Sequence, residues 1–245
     1  MKKNFTFKIA EEKYYNNGRI ILNSLSSFKS DLINSLCKES LVETTERNTK
    51  TKGKYLGINA ASLNKVLRNN ISSIPDIHTE THVKNGFFLH STKEGFDFSV
   101  YDHKYNLSKI YNYYLGSVGI LHGDDRIIEL YKKLKNCTKR QWRETVNTLS
   151  QDIPPNEDYS IEKSKLTIVG EFQFGNWALV YRDLFRLLNA NANPGIDFYV
   201  YITATGKLQE MLSSQTVNYS NVQKVIEQNI NLLPVPTWLI GLDIE

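Results

Sequence analysis

The stretch Thr167-Ile-Val-Gly-Glu171-Phe-Gln173-Phe-Gly-Asn176-Trp177 sets a carboxylate and a carboxamide two residues apart in a β-prone run. Alternate residues of a strand share a face, so Glu171 and Gln173 point the same way as Thr167 and Val169. Leu166, Ile168, Phe172 and Phe174 then face a core. Upstream, Asp158 and Glu162 are acids that a hairpin could fold back over this strand. A two-residue turn at Ser164-Lys165 predicts Asp158 directly across from Glu171. Glu162 would need a turn at Leu166-Thr167, which interrupts the β-prone run, so Asp158 is favoured as the partner. Two facing carboxylates repel unless a cation lies between them, and a hard divalent ion such as Mg²⁺ takes oxygen ligands. The chemistry such a site suits is metal-assisted phosphodiester hydrolysis. The competing reading is an ordinary hairpin with exposed acids.

Other constellations are weaker. His78-Thr-Glu80-Thr-His82 would put three ligands on one strand face, suggesting a transition-metal enzyme, but it lacks the helical His-Glu-x-x-His spacing. Gly116-Ser-Val-Gly119 and Gly123 lack the Lys-Ser/Thr of a phosphate loop. No Gly-x-Ser-x-Gly occurs, and Cys37 and Cys137 have no Cys-x-x-Cys partner, which excludes zinc ribbons and disulfide scaffolds. No apolar run approaches the roughly 18 residues of a membrane span, and the first residues lack a signal-like apolar stretch, so a cytoplasmic protein with no membrane partner is expected.

The net charge of +4 conceals an asymmetry. Residues 1–150 carry 24 basic and 15 acidic side chains, a net of +9, whereas 151–245 carry 6 and 11, a net of −5. Basic clusters at Arg47–Arg68 and Lys132–Arg143 suit either solvated helix faces or a phosphate-contacting surface. An acidic half would repel DNA unless its carboxylates hold cations.

The elements that must position these groups read as follows. Phe28, Leu32 and Leu36 share one helix face, and Asn59 caps a helix carrying Leu63, Val66 and Leu67. Glu43–Gly57 between them is polar and expected to be mobile. Residues 86–101 predict two strands around a Lys93-Glu94-Gly95 turn, followed by helices near 106–116, 125–136 and 139–149. After Asp152-Ile-Pro-Pro155 come two short strands, a helix over 177–189, a strand over 196–203, a helix near 220–232 and a strand over 237–242. That order describes a mixed sheet flanked by helices.

Glu171-Phe-Gln173-Phe-Gly-Asn176-Trp177 resembles the Glu-x-Gln variant of the PD-(D/E)xK nuclease motif found in BglII-like type II restriction endonucleases. Arg182-Asp-Leu-Phe185, the strand from Phe198 to Lys207 and Leu233–Asp243 follow in that family's order, and Arg68-Asn-Asn70-Ile to Pro75 echoes its upstream segment. The resemblance implies an α/β PD-(D/E)xK restriction-endonuclease-like core with an inserted helical module. Its parts would be an N-terminal helical part (1–75), an inserted hairpin and helical module (76–152) and a catalytic core (153–245). It implies Mg²⁺-dependent cleavage of both strands of a specific double-stranded DNA site by a homodimer, alongside a cognate DNA methyltransferase. Glu171, the Phe172 carbonyl and Asp158, or Glu162 in its place, would hold the metal, with Glu144 a remote further carboxylate. Gln173 would orient the attacking water, and Asn70 would assist. Asn176 at the following helix N-terminus and Lys207 would contact DNA, although Asn176 suits simple capping too. Gln173 stands where the commoner motif has Lys, which leaves open a non-catalytic DNA-binding protein on the same scaffold.

Overall fold

A computed structural model describes residues 1–49, 53–84, 86–90, 95–117, 157–192, 195–213 and 216–245. Its strands are β1 (Lys2–Phe5), β2 (Phe7–Tyr15), β3 (Ser40–Thr49), β4 (Gly53–Ile58), β5 (Ile77–Lys84), β6 (Phe87–His90), β7 (Phe96–Val100), β8 (Ile168–Gln173), β9 (Phe198–Ala204) and β10 (Thr237–Ile244). The helices are α1 (Gly18–Ser24), α2 (Ser26–Leu36), α3 (Ala60–Ile71), α4 (His103–Leu115), α5 (Leu179–Asn191), α6 (Gly206–Met211) and α7 (Tyr219–Gln228).

Strands β8, β9 and β10 are apolar or aromatic at almost every position, the composition of strands covered on both faces. They lie parallel at the centre of a seven-stranded sheet of order β2-β10-β9-β8-β7-β5-β6, whose other neighbours run antiparallel. One face buries Phe172, Val200 and Trp238 against Leu32, Leu63 and Leu67 of α2 and α3. The other buries Val169, Tyr199 and Leu239 against Val180 and Leu187 of α5 and Val222 of α7. The mixed sheet flanked by helices is therefore present. Gly170 is required within β8, because a Cβ there would sit 2.0 Å from the Phe98 ring.

Three readings change. Glu43–Gly57 is not a loose linker: β3 and β4 pair from Thr44↔Ile58 to Thr49↔Gly53 and join β1 in a second sheet. Val42, Thr44 and Ile58 supply its buried residues, a short apolar signal masked by the polar outer face. Strands form within 86–101, but β6 and β7 do not pair with each other; β5 lies between them. Consequently 77–100 contributes three strands to the main sheet. The helices expected at 125–136 and 139–149 lie outside the described residues. The expected hairpin between 158 and 171 does not form, since β8 pairs with β7 and β9 and residues 157–167 make no strand.

No helix among the described residues is long and apolar enough to cross a membrane. Asp102 latches the segment entering β8 to the end of β7: its carboxylate accepts from the Tyr105 amide at 3.1 Å, capping α4, and from the Ser164 amide at 2.9 Å. Burial alone would raise its pKa, but bonds from the Ser164 hydroxyl and amide and from the Tyr105 amide outweigh that and bring it down to about 2. A depressed carboxylate contributes stability above its ordinary range and loses it as pH falls through the folded value. Asp102→Ala should therefore destabilise the fold by about 1–2 kcal/mol at neutral pH and flatten the loss of stability between about pH 4 and 2. Chemical denaturation at several pH values measures both; an unchanged acid limb would contradict the latch.

Candidate active site

Strand registry aligns three carboxylates. β7 and β8 pair as Phe98↔Gly170, Ser99↔Val169 and Val100↔Ile168, so the next step sets Asp97 opposite Glu171. β5 and β7 pair as Thr79↔Phe98 and Thr81↔Phe96, so Glu80 falls opposite Asp97. The ladders part here. The Phe172 amide donates to Asp97 Oδ2 at 2.8 Å in place of a backbone acceptor, and Glu80 has a left-handed φ of 56°. This opening forms a cleft of about 330 Å³, lined by Glu80, Asp97, Glu171, Gln173, Arg68 and Arg186 among others.

Two helices bring cations to it. Arg68 of α3 lies 3.1 Å from Glu80 and 3.4 Å from Asp97, and Asn64, one turn earlier, donates to the Phe172 carbonyl at 3.3 Å. Arg186 of α5 pairs with Glu171 and reaches Asp183 at 3.5 Å. Burial pushes the Glu171 carboxyl well above its ordinary value, the negative charges of Asp97 and Asp183 add to this, and Arg186 only partly opposes it. Asp97 is raised by burial too, against the Phe172 amide and Arg68. Arg186 loses hydration, yet Glu171 and Asp183 more than offset that and hold its pKa up. Gln173 is buried beside them; its Nε2 donates to Asp183 Oδ2 at 2.6 Å and its Oε1 accepts from the Gly175 amide at 3.0 Å.

Glu171, Phe172 and Gln173 thus lie in the cleft, but the other expected residues do not meet them there. Asp158 is exposed and accepts from the Ser117 amide at 3.0 Å and its hydroxyl at 3.1 Å. Glu162 is exposed in an unpaired segment. Both are displaced because the partner strand of β8 comes from residues 96–100 and not from the segment just upstream. Asn70 faces away from the cleft and donates to Ser40 Oγ at 2.8 Å; Asn64 and Arg68 occupy the α3 face that turns inward. Asn176 accepts from the Ala178 amide at 3.0 Å in the turn before α5, whose N-cap position is Ala178, and Lys207 is exposed at the start of α6. Glu144 lies outside the described residues. The His78-Thr-Glu80-Thr-His82 cluster is broken: Glu80 turns to Arg68 while His78 stacks on Tyr101, with ring centroids 4.4 Å apart. Among the described residues no three His, Cys, Asp or Glu side chains converge into a ready-made metal cage.

Sequence reasoning missed Asp97, Asp183 and Arg186 as cleft residues, grouped Glu80 with His78 and His82 instead of Asp97, and gave Arg68 no place beside the carboxylates. For Asp97 a signal existed: it is a lone acid between Phe96 and Phe98 in a segment expected to be a strand.

A mixed sheet carrying facing acids on two antiparallel strands, the second of which ends in Glu-x-Gln, is the core of a restriction-endonuclease-like protein. A family described as restriction endonuclease BglII/BglIII matches residues 127–242. The crystal structure of restriction endonuclease BglII complexed with a DNA 16-mer superposes with a TM-score of 0.51 at 12% identity, covering 99% of this chain and 79% of that one. Free BglII gives a TM-score of 0.43 at 10% identity over 94% and 77%. No curated protein matches by sequence. The chain is thus similar to BglII/BglIII restriction endonucleases over residues 127–242 and shares the fold of BglII.

The raised carboxyls set a pH dependence. Without a divalent cation the native state holds these protons more tightly than the unfolded chain, so their contribution to stability is full below the ordinary carboxylate range and is lost as pH rises through the higher folded values. Asp97→Asn should flatten that slope and raise the melting temperature in chelator at about pH 8 by about 2–4 °C, equivalent to roughly 1 kcal/mol. Melting followed by circular dichroism tests this; a variant that melts lower than wild type would refute it.

Proposed function

We propose that the protein is a Mg²⁺-dependent endonuclease that cuts both strands of a specific double-stranded DNA site. The observation that carries this reading is the alignment of Asp97 with Glu171 where β7 and β8 separate. The donor chemistry fits a hard cation: two carboxylates with raised pKa values and the Phe172 carbonyl, while Glu80 lines the same cleft and pairs with Arg68. When bound, the cation would lower the pKa of a water and offset charge building on the phosphate. Asp97 and Glu171 would hold it, Gln173 would orient the water through its amide, and Arg68, Arg182 and Arg186 would supply the fixed positive charge that Gln173 lacks. Asn176 and Lys207, exposed beyond the ends of β8 and β9, would contact DNA.

A symmetric site calls for two copies of the chain. Helix α5 and its lead-in expose Trp177 (49%), Tyr181 (41%) and Phe185 (68%) at four-residue spacing, opposite the face that carries Asp183 and Arg186 into the cleft. This stripe is the surface we assign to the second copy. A cytoplasmic location and a partner methyltransferase protecting the same site complete the reading. The alternative, a non-catalytic DNA-binding protein, is favoured by the missing lysine.

Incubation of the protein with phage DNA and Mg²⁺ should give discrete fragments, whereas intact DNA bound at one site would favour the alternative. Asp97→Ala and Glu171→Ala should each lower cleavage by about a thousandfold or more while sparing specific binding, since each removes a charged ligand. Asp158→Ala and Glu162→Ala should retain cleavage within about tenfold of wild type, and the reverse ranking would return the first acid to its sequence-based position. Phe185→Glu should shift the protein from dimer to monomer by analytical ultracentrifugation; a monomeric wild type would reject the assigned interface.

A further inference from the structure

Asp183 lies in the interior of α5, where Asp is a poor helix former and caps nothing, and it is completely buried. A buried carboxylate persists only when paired and hydrogen-bonded. Its Oδ2 accepts from Gln173 Nε2 at 2.6 Å and from the Tyr201 hydroxyl at 3.2 Å. Its Oδ1 faces Arg182 at 3.2 Å and Arg186 at 3.5 Å. The other end of the Gln173 amide is also fixed, because Oε1 accepts from the Gly175 amide. Flipping the amide would turn its oxygen toward a carboxylate and its nitrogen toward an N–H, two repulsive contacts in place of two bonds. One N–H and one oxygen lone pair of Gln173 remain for a ligand in the cleft.

We infer that Asp183 is a positioning residue that locks the Gln173 amide in a single orientation toward the reacting phosphate and water. This rests on the nuclease reading above. A lysine in place of Gln173 would need no such lock, since an ammonium donates in every direction, whereas an amide with donor and acceptor ends works in only one of its two orientations. The lock uses groups from three elements, β8, β9 and α5, so it forms only when the whole cleft is assembled.

The test is a double-mutant cycle read by single-turnover cleavage with Mg²⁺, alongside DNA binding in chelator and thermal melting. Asp183→Asn preserves volume but turns one end of the group into a donor. It should slow cleavage about tenfold or more while leaving the DNA dissociation constant within about threefold, because orientation is used in the transition state and not in binding. In a Gln173→Ala background the same substitution should cost less than about threefold more, since its target is gone. Multiplying losses, an unaffected Asp183→Asn or a Gln173→Ala that cleaves like wild type would each overturn the inference. The nuclease reading would survive all three if Asp97→Ala remained inactive, and would itself fail if wild type did not cleave. If Asp183→Asn does not fold alone, Gln173→Glu supplies the second readout: it sets two carboxylates together, and adding Asp183→Asn should raise its melting temperature. A double variant melting no higher than Gln173→Glu would refute the contact.

Discussion

The burial of Glu171 beside Asp97 organises the molecule around it. Two acids face each other where β7 and β8 part, Glu171 buried and Asp97 lining the cleft, with Asp183 behind them and no backbone ladder between them. Their repulsion is contained by groups that each come from a different element: Arg186 from α5, Arg68 from α3 and the Phe172 amide from the strand itself. Cations on helices are effective here because packing on the sheet fixes the helices that carry them. The sheet's own apolar core, on both faces, supplies the stability against which this local repulsion is tolerated.

That arrangement explains why the two outer ladders open where they do. Continued backbone pairing at Asp97 would close the space between β7 and β8, whereas a side-chain acceptor for the Phe172 amide satisfies the donor and leaves the cleft open. The left-handed Glu80 extends the same break into β5 and turns its carboxylate toward Arg68. Strand alternation over 78–82 is lost at that residue, so a cluster that looks like a metal site on paper is pulled apart in space.

Local pattern made part of the fold legible. The apolar runs of β9 and β10, the cap at Asn59 and the shared face of Glu171 and Gln173 all follow from residues close in sequence. The partner of β8 was not legible, because turn chemistry at Ser164-Lys165 argued for a neighbour a few residues away while the observed partner lies some 70 residues upstream. Choosing between them depends on which strand fills the sheet beside β8, a tertiary constraint that spacing cannot encode. The β3–β4 hairpin was missed for a related reason: its buried residues point into an interface completed by β1 and α3, so few apolar positions are needed.

The charge asymmetry also changes meaning once the partners are known. The cleft is not an acidic site of the C-terminal half gripped by a separate basic half; Glu80, Asp97 and Arg68 come from the first half and Glu171, Arg182 and Arg186 from the second. Each half contributes both signs: Arg68 pairs with Glu80 and Asp97 in the first, and Arg186 pairs with Glu171 and Asp183 in the second. What the basic excess of the first half adds is therefore long-range attraction for a polyanion, while local selectivity for a cation rests on the carboxylates where the strands part. The two effects respond differently to salt: screening weakens the first over a Debye length of about 8 Å at physiological ionic strength, but reaches the buried carboxylates far less. On the proposed nuclease function, a single chain would gather DNA through its surface and hold the chemistry in a site that salt scarcely touches.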